Sequence, residues 1–254
     1  MRIENTIVLV TGGARGLGEH LSRAFAREGA RVVVNYHSSD ERARALVSEL
    51  GEDRALAVQA DVTDAQQVRD MVSRAREHFG APITVAVNNA LVDFSFNGDA
   101  RPTLEHLTAE NLTQQFQGAV VGALNVMQAV TPGMVEAGEG RIINIGTNLF
   151  QNPVVPYHDY TAAKAALLAL TRTAAKDLGP QGITVNMISG GLLRTTDASA
   201  ATPDEVFDFI AAGTPLGRVT TPEEFADTAL FFASDWSRGV TGQNLVVDGG
   251  LVMD

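Results

Sequence analysis

Short apolar runs alternate along this chain with longer segments in which apolar residues recur every three or four positions. A short run rich in valine and isoleucine is typical of a strand covered on both faces, and the longer spacing is typical of an amphipathic helix. The pattern predicts strands at 6–10, 31–35, 55–59, 83–87, 141–145, 183–188 and 244–247. It predicts helices at 16–28, 41–50, 64–79, about 107–135, 159–178 and 222–234.

This alternation predicts an α/β fold in which right-handed crossovers join parallel strands. The expected product is a doubly wound three-layer sandwich with a mainly seven-stranded parallel sheet. Ligands in such folds bind beyond the carboxyl ends of the strands, where the strand order reverses. No repeat and no Pro-, Gly- or Ser-rich linker divides the chain, so residues 1–254 are predicted to form a single domain.

Composition and charge narrow the possible functions. The chain has 254 residues, of which 45% are hydrophobic, and a formal net charge of −11. Such a charge repels nucleic-acid phosphates and anionic lipid headgroups, so neither nucleic acid nor membrane is an expected partner. Cysteine is absent, which excludes disulfides, cysteine nucleophiles and thiolate metal sites, and no metal site is predicted. The sequence shows no signal peptide or membrane span, so the expected location is the cytoplasm.

A glycine-rich segment at 11–18, TGGARGLG, joins the first predicted strand to the first predicted helix. Glycine lets the backbone turn sharply and approach a pyrophosphate closely, and the helix that follows presents free N–H groups. The segment therefore predicts a dinucleotide-binding loop, the alternative being an ordinary strand–helix turn. The residues predicted to contact the cofactor here are Gly12, Arg15, Gly16, Leu17 and Gly18.

Tyr160 and Lys164 lie four positions apart near the start of a predicted helix, so their side chains share one face. A lysine ammonium beside a phenol stabilises the phenolate and is expected to lower the tyrosine pKa from about 10. A tyrosine tuned in this way donates a proton to a carbonyl oxygen, or removes it in the reverse direction. The alternative is an amphipathic tyrosine beside a solvated lysine. His158 and Asp159 are expected to point away because of their offset along the helix.

The G-x-x-x-G-x-G spacing of the loop and the Y-x-x-x-K pair resemble short-chain dehydrogenases/reductases. The resemblance extends over nearly the whole chain, through Asn88–Ala90, Asn186–Gly191 and Val247–Gly250. Among family members, 3-oxoacyl-carrier-protein reductases look most similar. The resemblance implies a Rossmann-type fold, a nicotinamide cofactor and a homo-tetramer or homo-dimer. It also assigns further residues to the cofactor site, namely Asp61, Val62, Asn89, Ala90, Leu193 and Thr195.

The chain departs from the family pattern at several positions. Where the family has a serine 13 positions before the tyrosine, this chain has Thr147, which keeps the hydroxyl and is expected to hold the substrate oxygen. Where the family has an asparagine that anchors a relay water beside the lysine, an ungapped alignment places Ala119. Either another group completes the relay or proton exchange is slower. Leu91 and Gly190 replace a glycine and a proline near the nicotinamide.

The end of the second predicted strand bears on the choice of cofactor. NAD-binding members carry an acid there, about 20 residues past the glycine loop, whereas this chain has Tyr36. Arg15, His37 and Ser38 offer charge-assisted hydrogen bonds to a 2′-phosphate. We therefore expect NADP(H), with NAD(H) as the less favoured cofactor. The alternative is that Arg15 and His37 are solvated surface residues.

Apolar residues near the expected site indicate a hydrophobic carbonyl or alcohol substrate, although any one of them is as often a core or interface residue. They are Phe94, Phe96, Leu149, Phe150, Phe207, Phe209 and Ile210, the last three within a segment at about 190–215 that resembles the family's substrate lid. The negative charge favours a small free ketone over an acidic carrier-protein thioester. Arg101, Arg194 and Arg218 are candidates to hold a small acid or phosphate.

Two functions from different classes fit these observations. The first is an NADP(H)-dependent oxidoreductase in which Tyr160 is the acid and base, Lys164 lowers its pKa and binds ribose, and Thr147 holds the substrate oxygen. The second is a catalytically impaired NADP(H)-binding regulatory or interaction module, which Ala119, Leu91 and Gly190 motivate. The intact Tyr160–Lys164 pair favours the enzyme, because binding alone needs no tyrosine hydroxyl.

Overall fold

The strands of this chain form one parallel sheet. A computed structural model describes residues 1–92, 101–194, 196–197, 199–200 and 202–253. The strands are β1 Ile7–Val10, β2 Arg31–Tyr36, β3 Ala55–Gln59, β4 Val85–Asn88, β5 Gly140–Thr147, β6 Ile183–Gly190 and β7 Asn244–Val247. Their order is β3-β2-β1-β4-β5-β6-β7, and each neighbouring pair is parallel. The order reverses between β1 and β4, which places the ligand crevice at their carboxyl ends.

Helices cover both faces of the sheet and complete the predicted three layers. They are α1 Gly16–Arg27, α2 Asp40–Leu50, α3 Ala65–Phe79, α4 Ala109–Phe116, α5 Gly122–Ala137, α6 His158–Leu178, α7 Asp204–Gly213 and α8 Pro222–Ala233. On one face α1, α2 and α8 bury a core that contains Phe25 and Phe225. On the other, α3, α5 and α6 bury a core that contains Met71 and Leu167. The predicted doubly wound α/β fold is confirmed.

The helix ends follow local sequence signals. The Asp64 carboxylate accepts hydrogen bonds from the backbone N–H groups of Gln66 and Gln67, which caps α3. At α8, Thr221 and Glu224 form a reciprocal capping box around Pro222, the first residue of the helix. These signals explain why the predicted starts at 64 and 222 lie within one residue of those observed.

The strand ends differ more from the prediction, because polar and small residues extend the strands where the apolar pattern stops. β5 and β6 each run two residues further than predicted, and their last registered pair is Thr147 with Gly190. β4 begins two residues later than predicted and ends on Asn88. The apolar pattern does not predict α7, although Pro203 and two acidic residues mark its start.

The segment Ala109–Ala137 is helical throughout but contains a π-helical turn at Gln117–Val121, between α4 and α5. A π turn widens the helix and often accompanies a functional site. Ala119, the residue aligned with the family's asparagine, lies in this turn and is buried. By length and composition this segment is the one described helix able to cross a membrane, but half of its most apolar stretch is buried inside the molecule. The same pattern is found in the core helices of water-soluble proteins.

Candidate active site

The glycine-rich loop between β1 and α1 has a shape that requires glycine. Gly12 and Gly16 have φ of 61° and 52°, in the left-handed region that disfavours other residues. A Cβ on Gly18 would lie 2.0 Å from the carbonyl oxygen of Gly12, so α1 packs directly on the loop. Arg15 precedes α1 and provides no side-chain cap for it. The first-turn N–H groups of α1 and the close backbone approach therefore fit a pyrophosphate.

Side chains from the carboxyl ends of the neighbouring strands β2 and β4, Asn35 and Asn89, hold this loop in place. The Asn35 side-chain oxygen accepts a hydrogen bond from the Gly12 N–H at 3.2 Å. The Asn89 amide donates to the Thr11 carbonyl oxygen at 2.9 Å. The Thr11 hydroxyl accepts from the N–H groups of Asn89 and Ala90 at 2.9 and 3.0 Å. The structure thus brings Asn89 and Ala90, both predicted to be cofactor residues, against the glycine loop.

The end of β2 carries the residues predicted to select the cofactor. The Tyr36 side chain is buried and its hydroxyl donates to the Asp40 carboxylate, which raises the pKa of Tyr36. Arg44 also donates to Asp40, so this carboxylate is bound by two neighbours and its pKa is lowered. His37 and Ser38 are both exposed.

Two arginines meet beside this strand end. The Arg15 guanidinium lies 4.0 Å from the Asp197 carboxylate and is largely exposed. The Arg42 guanidinium, from the first turn of α2, donates to the same carboxylate. The sequence pattern does not indicate Arg42, because only the packing of the folded chain brings it to the same carboxylate as Arg15. Together the two arginines form a cationic site that one carboxylate currently shares.

The other predicted cofactor residues lie in α1 and after β3 and β6. The Asp61 carboxylate accepts from the N–H and hydroxyl of Thr63 at 2.8 and 2.7 Å, and Val62 is buried beside α5. Leu17 is partly buried, and the Leu193 carbonyl oxygen accepts from the Ser199 hydroxyl at 2.7 Å. Thr195 lies outside the described residues, as do Phe94 and Phe96.

Tyr160, Thr147 and Lys164 come together at the carboxyl end of β5, and all three are buried. Thr147 is the last residue of β5, and its side chain makes a hydrogen bond with that of Tyr160. The Lys164 ammonium donates to the Ile145 carbonyl oxygen at 2.6 Å and lies 5.8 Å from the centre of the Tyr160 ring. The spacing of one helical turn therefore does place tyrosine and lysine side by side.

The pKa values of this pair depart from the prediction. Burial raises the pKa of Tyr160 to about 12, and the hydrogen bond with Thr147 offsets only part of that. Burial also lowers the pKa of Lys164 to about 8. The expected lowering of the tyrosine pKa by Lys164 is wrong for the free protein, because its ammonium donates to a backbone carbonyl and desolvation dominates. In this state Tyr160 is a protonated phenol at neutral pH, suited to donate a proton.

A buried ion pair involves Asp159, the residue that precedes Tyr160 in α6. Asp159 is only 4% exposed and accepts a hydrogen bond from the Arg101 guanidinium at 2.5 Å. The same guanidinium lies 5.9 Å from the centre of the Tyr157 ring, which meets the Tyr160 ring edge to face. The Asp159 carboxylate is thus held by Arg101, which reaches it from the segment after β4.

The arginines considered as anchors for an acidic substrate all have acidic partners within the chain. Besides Arg101, Arg194 donates to Asp204 at 2.6 Å and Arg218 to Glu224 at 2.6 Å. Each cation is therefore neutralised locally, which lowers its attraction for an anionic ligand.

The apolar residues of the predicted lid cluster all lie in α7, which places them in different surroundings. Phe207 is buried under the Arg194 guanidinium, whereas Phe209 is 81% exposed. Leu149 and Phe150, which follow Thr147, are half-buried. They lie at one end of a mostly apolar groove of about 700 Å³ that continues along the start of α6.

The C-terminal segment is hydrogen-bonded to the residue that follows Thr147, a contact that the sequence pattern does not indicate. Asn148 donates to the Asp248 carboxylate at 2.8 Å, and both side chains are buried. Asp248 also accepts from the N–H groups of Gly250 and Val252. The residue after Thr147 is thereby fixed to the turn that follows β7.

Comparison with known proteins finds relatives over nearly the whole chain. A family model described as enoyl-(acyl carrier protein) reductase matches residues 12–252. The chain is 34% identical over 252 residues to a 3-oxoacyl-[acyl-carrier-protein] reductase of Staphylococcus aureus (strain Mu50), covering 96% of this chain and 97% of that one. It is 36% identical over 255 residues to a 3-oxoacyl-[acyl-carrier-protein] reductase of Synechocystis, covering 97% of each. It is also 34% identical over 254 residues to an uncharacterised oxidoreductase of Methylorubrum extorquens, covering 98% of this chain and 99% of that one.

Proposed function

Because this chain belongs to the short-chain dehydrogenase/reductase family and is an oxidoreductase acting on CH–OH or C=O groups, we propose that it is an NADP(H)-dependent ketone reductase. The observation that carries the proposal is the buried Thr147–Tyr160–Lys164 group at the carboxyl end of β5. A nicotinamide cofactor, when bound, supplies or accepts the hydride. The glycine loop, whose backbone approach leaves no space for a Cβ at Gly18, is suited to hold it.

The three side chains have distinct roles in this proposal. The Thr147 hydroxyl orients the substrate oxygen beside Tyr160. The Tyr160 phenol, protonated at neutral pH, donates its proton to that oxygen as negative charge develops on it, and takes the proton back in the reverse direction. The Lys164 ammonium supplies positive charge next to the phenol and is a donor for ribose hydroxyls. Burial of all three excludes water and strengthens these interactions.

For the cofactor we propose NADP(H), with Arg15 and Arg42 as the receptor of the 2′-phosphate and Asp197 as the carboxylate that the phosphate replaces. Arg15→Ala and Arg42→Ala are each expected to raise the KM for NADPH about tenfold or more, the effect of losing a hydrogen bond to a charged group. The KM for NADH is expected to change little. Steady-state kinetics with both cofactors measures this, and Arg44→Ala on the same helix is the matched control because Arg44 is bound to Asp40. Equal losses with NADPH and NADH would contradict the assignment.

For the substrate we propose a ketone or secondary alcohol with an apolar arm, of the 3-oxoacyl type or a small hydrophobic ketone. Leu149 and Phe150 beside Thr147 support an apolar arm, and the relatives' names support a 3-oxoacyl group. The pairing of Arg101, Arg194 and Arg218 with acidic residues favours a free substrate over one attached to an acidic carrier protein.

NADPH oxidation over a panel of hydrophobic ketones, diketones and short 3-oxoacyl thioesters tests this function. We expect turnover of at least one class, and a 3-oxoacyl group presented as a small free thioester is expected to have kcat/KM no lower than the same group on a carrier protein. NADH at equal concentration is the cofactor control. Binding of NADPH without turnover of any class would contradict the proposal and favour the regulatory module. The intact catalytic group and the enzymatic relatives argue against that module.

We further propose that the enzyme is a cytoplasmic homo-tetramer or homo-dimer. Ala162, Ala165 and Ala169 form an exposed small-residue stripe along α6, and Leu112 and Phe116 of α4 are partly exposed. Both are surfaces on which a second copy can pack. Sedimentation velocity is expected to give a multiple of the 26.9 kDa chain mass, and a purely monomeric boundary would contradict it.

A further inference from the structure

A small cavity lies between the lysine of the catalytic group and the π-helical turn. Its volume of about 10 Å³ is room for one water molecule. Thr11, Asn88, Ala119 and Lys164 are among the residues that line it. The π turn widens the helix here, and the methyl group of Ala119 leaves the space open.

Asn88 and Lys164, which line this cavity, have unused hydrogen-bonding positions. The Asn88 side chain is 6% exposed; its amide donates to the Asn144 side-chain oxygen at 2.8 Å, but its own Oδ1 has no hydrogen-bond partner in the described part of the chain. The Lys164 ammonium has three donors, and its hydrogen bond to a protein atom goes to the Ile145 carbonyl oxygen. A buried acceptor left unpaired costs about 1–3 kcal/mol, so such atoms are normally satisfied by protein or by ordered water.

Other side chains near the cavity are already engaged. Gln115, the buried glutamine one helical turn before Ala119, donates to the Val92 carbonyl oxygen at 3.2 Å. The Thr11 hydroxyl is occupied by Val87, Asn89 and Ala90. Neither residue replaces the family's asparagine.

We propose that this cavity holds one ordered water molecule that accepts a hydrogen bond from the Lys164 ammonium and donates one to Asn88 Oδ1. Asn88 is then a positioning residue that acts through this water, in place of the helix asparagine that Ala119 replaces. The water and the Ile145 carbonyl oxygen together fix the direction of the ammonium and leave its third donor for the active site. The kinetic consequence rests on the proposed reductase function, whereas the water itself does not.

A high-resolution crystal structure of the free protein tests the water directly. We expect density within hydrogen-bonding distance of both Lys164 Nζ and Asn88 Oδ1. Ala119→Val fills the cavity and is expected to remove that density, whereas Ala119→Gly keeps the cavity open and retains it. Wild-type crystals without a water there would overturn the proposal, whatever the protein's activity.

Kinetics then tests the role of Asn88. Asn88→Leu removes the acceptor at similar volume and is expected to lower kcat about tenfold while leaving the KM for NADPH nearly unchanged. Thr171→Val is the matched control, because it breaks the hydrogen bond that Asn144 donates to Thr171 in the same buried chain but leaves the cavity atoms in place. It is expected to lower the unfolding temperature without a comparable loss of kcat.

A rescue experiment separates positioning from a structural effect. Ala119→Asn places a polar side chain in the cavity beside Lys164, so Asn88→Leu is expected to cost much less kcat in that background. An equal loss in both backgrounds, or equal losses for Asn88→Leu and Thr171→Val that follow their unfolding temperatures, would overturn the positioning role. If wild type binds NADPH but reduces no ketone, the proposed function fails while the crystallographic result still decides the water.

Discussion

Replacing Tyr160 with phenylalanine is expected to lower kcat for ketone reduction about 10²–10⁴-fold, the usual contribution of a positioned acid. The substitution deletes the buried Tyr160 hydroxyl, which is hydrogen-bonded to Thr147, and it keeps the ring that packs against Tyr157. The affinity for NADPH is expected to stay near wild type, because the glycine loop is untouched. NADPH oxidation and an equilibrium titration of NADPH measure the two effects separately.

Tyr157→Phe is the matched control for this result. Tyr157 is also buried, and its ring centre lies 6.5 Å from that of Tyr160, so the two substitutions remove the same atom from neighbouring positions. Only the loss at Tyr160 is expected to be large. Comparable activity of Tyr160→Phe and Tyr157→Phe would show that Tyr160 is not the acid.

The pH dependence of the wild-type enzyme bears on the same pair. The lowered pKa of Lys164, about 8, means that its ammonium is charged at neutral pH and neutral well above pH 8. Tyr160, with a pKa raised to about 12, keeps its proton across that range. The kcat/KM for reduction is therefore expected to be highest at neutral pH and to fall as the pH rises through about 8. A rate that rises through this range would contradict the role given to Lys164.

The parts of this site that sequence reasoning predicted are local in the chain. The strand–helix alternation, the glycine loop and the Tyr160–Lys164 pair depend on contacts within one element or between adjacent ones, which spacing encodes. The parallel sheet with helices on both faces followed from the alternation, because strands joined by helices pair in parallel through right-handed crossovers. Even the polar ends of β5 and β6, which the apolar pattern missed, fall next to predicted site residues.

The missed features join residues that are distant along the chain. Arg42 and Asp197 are 155 positions apart, and Arg101 and Asp159 are 58 apart. The acidic partner of a given arginine depends on how the helices and loops pack. The hydrophobic periodicity of the sequence carries no information about that packing. The tyrosine pKa was predicted in the wrong direction for the same reason: the spacing gave the neighbour, but burial, a property of the whole fold, determines the shift.

Gly18→Ala is expected to weaken NADPH binding about 10–100-fold. The added Cβ would lie 2.0 Å from the Gly12 carbonyl oxygen and 2.7 Å from the Asn89 amide nitrogen. Both contacts are far below van der Waals separation, and the first is with backbone that cannot swing aside. The loop must therefore move away from α1, at the cost of about 1–3 kcal/mol that overpacking usually carries, and 1.4 kcal/mol is a tenfold change in Kd. Titration of NADPH fluorescence measures the affinity.

Gly179→Ala is the matched control, since a Cβ there meets nothing within 4 Å and the position lies at the far end of α6. It is expected to bind NADPH as wild type does. Thermal unfolding of both variants shows whether a loss of binding reflects a loss of the fold. Because Gly18 contacts Gly12 within the loop itself, a folded Gly18→Ala variant with weakened binding places the pyrophosphate at this loop. A folded variant with wild-type affinity would place the cofactor elsewhere.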